Sequence, residues 1–187
     1  SVYDGATAAA EAAAMCRERK KDKILVSSTS NPEVVEVIKT YCYGNGMECQ
    51  MVPHKQGHTD MEALEAMLIE DTAGFYVQEP NYYGILEDYE AMGRMVHSRK
   101  ARYIMGCNPI ALAVLKTPGE YGADIAVGEG QPLGMELGFG GPYLGFMAST
   151  KEMMRRLPGR MVGETADEQG RRTFVLTLQA REQHIRR

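Results

Sequence analysis

Short apolar runs alternate with amphipathic segments along almost the whole chain, and few folds accommodate that alternation. Residues 23–27, 47–52, 73–78, 102–106, 123–127 and 143–148 read as strands, each brief and rich in buried-type side chains. Helices are predicted over 8–19, 32–43, 60–69, 87–98, 110–115 and 150–156. Met61, Leu64, Met67 and Leu68 show the helical spacing of one apolar face, and Pro32 stands where a first helical turn tolerates proline. Strand, helix and strand in repeated succession make a mostly parallel sheet covered on both faces. The expected fold class is therefore α/β, a three-layer αβα sandwich. The strand at 143–148 follows a short glycine loop and is expected to run the other way. A less regular extended piece is expected at 173–178, followed by a polar helical end.

With 187 residues, 44% of them hydrophobic, the chain is long enough to bury a core as one domain, the expected organisation. A net charge of -4 supplies no basic field for nucleic acid or for an anionic membrane. No apolar run approaches the roughly 20 residues of a membrane span, and nothing at the start resembles a targeting segment. Cys16, Cys42, Cys49 and Cys107 contain no C-x-x-C pair, which reads as reduced thiols in a soluble, cytoplasmic protein. The thirteen methionines fit core packing. Both ends look cut: the chain opens at Ser1 without methionine and closes on Arg186-Arg187 inside a charged pattern. An excised domain is expected.

Residues 128–145 hold seven glycines and two prolines in eighteen positions, directly after a strand. Glycine permits close backbone approach at an entropic cost, so a run of it implies a geometric need. The alternative is a tight connection between strands with no ligand. The glycines do not form G-x-G-x-x-G after a first strand, and no Walker lysine follows them. His54 and His58 flank Gly57, so they read as solvated loop residues rather than a metal pair, and no metal site is expected.

Three turns follow strands at what should be one carboxyl edge, where ligands of open α/β sheets bind. They carry Asn81, Asn108 and Gln131, with the Gly140-Gly141 pair further along the last loop. The first helix starts at Asp4-Gly5-Ala6-Thr7, either as a phosphate or carboxylate cradle or as a plain cap made by Asp4 or Thr7. Asp4, Gly5, Thr7, Asn81, Asn108, Gln131, Gly140 and Gly141 are the candidate cofactor-binding residues.

YDGATAAAEA at 3–12, KTPGEYGADI at 116–125, GEGQPLG at 128–134, GGPYLG at 140–145, PGRMVGET at 158–165 and LTLQAREQHIRR at 176–187 resemble glycine decarboxylase, the P-protein of the glycine cleavage system. The likeness covers essentially the whole chain and is to subunit 1 of the two-subunit bacterial form. It implies the large domain of a fold type I pyridoxal-phosphate enzyme, without the preceding N-terminal part and the C-terminal small domain. It also implies that the cofactor holds glycine as an aldimine, carbon dioxide leaves, and the aminomethyl group passes to the lipoyl arm of the H-protein. The expected assembly is a heterotetramer with subunit 2. Such enzymes need a lysine for the Schiff base and an aspartate against the pyridine nitrogen. Gln131 stands at the expected lysine position and Asn108, beside Cys107, near the expected aspartate position. The resemblance thus implies no catalytic residue in this chain and a lysine supplied by subunit 2. Two other readings stay open: a stand-alone anion- or nucleotide-binding α/β module, and a non-catalytic scaffold that binds its sister subunit.

Overall fold

The computed structural model describes residues 2–178, and the chain divides after Ala148 into two compact units where the length predicts one. The tail from 179, with its expected helix, lies outside the described residues.

In the first unit α1 spans Gly5–Cys16 and is capped by Asp4, whose carboxylate accepts the Thr7 amide at 2.6 Å. It starts and stops three residues before the predicted bounds. Ala8, Ala9, Ala12, Ala13, Met15 and Cys16 are buried, and the helix ends where that apolar supply ends. Arg17 and Lys21 instead reach carbonyls of Asn45 and Lys100. The small side chains let α1 lie deep between the sheet and the next helix.

β1 (Lys23–Ser27) leads to α2 (Pro32–Gly44), β2 (Glu48–Val52), the two-residue hairpin strands β3 (His54–Lys55) and β4 (His58–Thr59), and α3 (Met61–Met67). β5 (Thr72–Glu79), α4 (Tyr89–Ser98), β6 (Arg102–Cys107), β7 (Ile125–Glu129) and β8 (Gly145–Ser149) complete the unit. The helix predicted at 110–115 is a single 3-10 turn, Ala111–Ala113.

The main sheet has the order β2-β1-β5-β6-β7-β8, and the first five strands are parallel. The amide of Gly130, just past β7, donates to the carbonyl of Leu144, just before β8. The start of β8 therefore lies beside the end of β7, and neighbouring strands meet that way only when antiparallel, as the short loop predicts. One face of the sheet carries the row Leu25, Phe75 and Tyr103 beneath Leu64, Leu68, Met92 and Val96 from α3, its exit and α4. Phe75 and Tyr103 stack with ring planes 3° apart. On the other face, a side chain at Gly74 would meet Cys16, which places α1 there. The αβα sandwich follows from this two-sided burial.

The second unit contains β9 (Met161–Ala166) and β10 (Arg172–Leu178), an antiparallel hairpin. The helix predicted at 150–156 is a correction: it is a set of turns closing with one 3-10 turn, Met154–Arg156. Pro158 explains this, because the residue before proline is pushed out of the helical region, and Leu157 has φ -57°, ψ 132°.

Candidate functional site

The chain order reverses around β1: α2 carries it outward to β2, and α4 carries it from β5 the other way to β6. Carboxyl ends near such a reversal open a crevice. Here a cleft of about 430 Å³ lies among the ends of β5, β6 and β7, the first turn of α2, and the start of α1. Its floor depends on two glycines. A Cβ on Gly106 would collide with the Tyr76 hydroxyl, and one on Gly128 with the Cys107 carbonyl and the Phe146 ring.

The start of α1 faces this cleft, as expected of an anion cradle, but the protein has already filled it. Glu129, the last residue of β7, accepts the Gly5 amide on Oε2 at 2.9 Å. Its Oε1 accepts the amides of Gln131 at 2.9 Å and Leu144 at 2.8 Å. Asp4 holds the amide and hydroxyl of Thr7. The amino end of a helix favours negative charge, and two carboxylates of the chain itself supply it. Glu33 adds a third acidic group to the lining, in which, among the described residues, no lysine, arginine or histidine stands. The cleft therefore repels anions. Tyr76 offers no ionised nucleophile to the cleft, because burial pushes its hydroxyl up; the Cys107 thiol, pushed up to about 11 by burial, lies on the face of the sheet that Glu79 shares.

Of the predicted residues, Asp4, Gly5 and Asn108 line the cleft; Thr7, Asn81, Gln131, Gly140 and Gly141 do not. Asn108 is exposed, and its Oδ1 accepts the Ile110 amide. Asn81 is buried with both ends of its amide in use. Its Nδ2 donates to the Gly57 carbonyl and to Glu87 Oε1, and its Oδ1 accepts the amides of Tyr83 and Ile85. Glu87 also accepts the Thr29 hydroxyl and the Thr59 amide, so this pair fastens the loops after β1 and β5 to β4. Gln131 Nε2 donates to the carbonyls of Pro142 and Glu136, bracing the glycine loop from within. Gly140, with φ 107°, and Gly141 form the turn on the Leu137 carbonyl. The described residues hold no cluster of three or more metal-ligating side chains and no helix long and apolar enough to cross a membrane.

Glu129 is the residue that sequence reasoning missed. Its signal was its place between Gly128 and Gly130 at a strand end, opposite a helix start in need of an anion. The His54 ring lies 5.4 Å from that of Tyr83, an aromatic contact on the β3–β4 hairpin.

The family model for the glycine cleavage system P-protein matches residues 1–187. Probable glycine dehydrogenase (decarboxylating) subunit 1 of Carboxydothermus hydrogenoformans is 52% identical over the whole chain, which spans 42% of that relative. The protein of the same description from Bacillus licheniformis is also 52% identical, with the same coverage. A crystal structure of glycine decarboxylase (P-protein), in inhibitor-bound form, superposes with a TM-score of 0.92 at 45% identity, over 100% of this chain and 42% of that one. Thermus thermophilus aspartate aminotransferase shares the fold alone, with a TM-score of 0.64 at 16% identity over 82% of this chain and 44% of its own. Coverage from the first residue to the last, at about half identity, leaves one conclusion: the chain belongs to the glycine cleavage system P-protein family.

Proposed function

We propose that this chain is the sheet-bearing part of subunit 1 of a two-subunit glycine decarboxylase, and that within the assembled enzyme it is the half that does not hold the cofactor. The observation that carries the proposal is the Glu129 carboxylate seated on the α1 amides. Pyridoxal phosphate, which the family implies, needs an amine to hold it, an anion cradle for its phosphate and a carboxylate at its ring nitrogen. The cleft lacks the amine, its cradle is occupied by carboxylates, and Asn108 stands near where the ring acid is expected. The residues present do not fit the group. No catalytic step is assigned to this chain.

Its contribution is then architectural. The Asn81–Glu87 brace and the Gln131 brace fix the loops at the carboxyl edge, and those loops present a surface to the lysine-bearing partner subunit. Tyr3, Leu133, Leu137, Phe139 and Leu144 are exposed on or beside the glycine loop, which is unusual for large apolar side chains in one stretch. Glycine and the lipoyl arm of the H-protein are substrates of the assembly in this reading. The acidic cleft disfavours the alternative of a stand-alone anion- or nucleotide-binding module.

Mixing purified subunits tests the proposal. Full-length subunit 1 with pyridoxal phosphate, H-protein and glycine should release no carbon dioxide above background, and adding the partner subunit should restore turnover. Decarboxylation by subunit 1 alone would refute it.

A further inference from the structure

The cleft at the carboxyl edge is bordered by polar groups that no contact within the chain uses. β5 and β6 pair Gln78 with Gly106, and β6 and β7 pair Gly106 with Val127, so strand alternation puts Tyr76, Gln78 and Glu129 on one face, the face that α1 covers. Asn108 stands just past the end of β6. Tyr76 is 3% exposed, and its hydroxyl lies against Gly106 on the cleft floor with no hydrogen-bond partner among the described residues. Burial keeps it protonated, and so a donor. A buried hydroxyl without a partner is costly, and this one borders open space from which a partner can come.

Three side-chain amides of the lining add to it. Asn31 Oδ1 accepts the Glu33 amide at 2.9 Å, Gln78 Oε1 the Asn31 amide at 3.0 Å and Asn108 Oδ1 the Ile110 amide at 2.9 Å. A backbone N–H donates only to the oxygen, so each side-chain amide is fixed end for end and its nitrogen remains as a donor. None of these nitrogens has an acceptor among the described residues. Four neutral donors thus share the lining with the carboxylates of Asp4, Glu33 and Glu129, and Glu33 is exposed and makes no ion pair among the described residues. The donors call for an acceptor and the carboxylates for a cation. A lone anion would meet the negative field uncompensated, and a lone amine would leave the donors unused; a molecule carrying both an ammonium and a carboxylate answers both. The volume of about 430 Å³ falls in the range of about 300–1,000 Å³ found for small-molecule sites, and Val34, Pro109, Val127 and Tyr143 give the cleft an apolar wall. That wall suits a ligand with an apolar side chain.

We propose that this cleft is a binding site for the zwitterion of an apolar α-amino acid. The ligand's carboxylate accepts from the Tyr76 hydroxyl and the side-chain amides, its ammonium is held by the acidic groups, and its side chain lies against the apolar wall. No covalent bond forms or breaks. Every lining residue belongs to the first unit, and the proposal does not depend on which subunit holds the cofactor.

Equilibrium dialysis of the full-length protein against L-leucine, L-methionine and L-phenylalanine tests it. At least one of the three should bind saturably, at one site per copy of the chain, at millimolar concentration or below. For that amino acid, the analogue without the ammonium and the analogue without the carboxylate, isocaproate and isopentylamine in the case of leucine, should each bind distinctly more weakly. Tyr76→Phe keeps the ring and removes one hydrogen bond, which should weaken binding about two- to tenfold. Asn108→Ala, at an exposed position, should act in the same direction. Any of four results would overturn the proposal: no saturable binding of any of the three, undiminished binding of the analogue without the ammonium, undiminished binding of the analogue without the carboxylate, or unchanged binding in both variants. Because the readout is binding and not decarboxylation, its failure would leave the subunit assignment untouched.

Discussion

Glu129→Ala is expected to destabilise the folded protein by about 2–4 kcal/mol and to loosen the glycine loop. Three backbone amides, from Gly5, Gln131 and Leu144, converge on this carboxylate from the start of α1, the exit of β7 and the approach to β8. A hydrogen bond to a charged acceptor contributes about 1.5–3 kcal/mol, and three of them would exceed the range given. The site is half-buried, however, and water would satisfy part of what the carboxylate releases, so the lower figure is appropriate. Glu129→Gln keeps one acceptor oxygen and should fall between wild type and alanine. Urea unfolding gives the free energies, and amide exchange at Gln131 and Leu144 should speed up in the alanine variant. A loss under about 0.5 kcal/mol, within the range of an unremarkable surface substitution, would mean that the carboxylate does not hold the loop.

The second large effect concerns Glu79, whose side chain points away from the cleft into the face that carries α4. It is 1% exposed, and neither carboxyl oxygen has a hydrogen-bond partner. The groups facing it are Tyr89 on α4, Tyr103 and Cys107 on β6, and Tyr121, none of them a cation. Burial raises its value above the ordinary carboxyl range. A raised value means that the folded chain keeps a proton the unfolded chain has already released. Stability is therefore full below the ordinary carboxyl value and is lost as pH rises through the raised one. The loss approaches about 1.4 kcal/mol per pH unit for one proton. Glu79→Gln removes the titration and keeps the shape. Its stability should match wild type near pH 4, exceed it increasingly as pH rises toward the raised value, and hold that margin above it. Other titrations cancel in the difference, so parallel curves for the two proteins would contradict the assignment.

The parallel strands and the helices α2 and α4 were legible because each is long enough for its period to show, and their ends fell within about two residues of the bounds found. The β3–β4 hairpin was not, because two-residue strands carry no alternation. At residues 150–156 composition favoured a helix, and the backbone restriction before Pro158 prevailed. The site was legible by edge and not by side chain. Strand-end position put Asn81, Asn108 and Gln131 at the carboxyl edge, but whether an amide is free depends on neighbours distant in sequence. Asn81 spends its amide on Gly57, Glu87 and two backbone N–H groups, and Gln131 on the loop it starts. Glu129 stayed hidden for the same reason, since its partners are Gly5, 124 residues away, and Leu144.

If the chain is part of the two-subunit decarboxylase proposed above, which subunit bears the cofactor is decided most directly by chemistry on the assembled enzyme. Borohydride reduction in the presence of pyridoxal phosphate, followed by proteolysis and mass mapping of both subunits, locates every lysine joined to the cofactor. The acidic, lysine-free cleft and the Glu129-filled helix start predict label on the partner subunit and none on any lysine of this chain. Stoichiometric label on one specific lysine within residues 1–187 would contradict it.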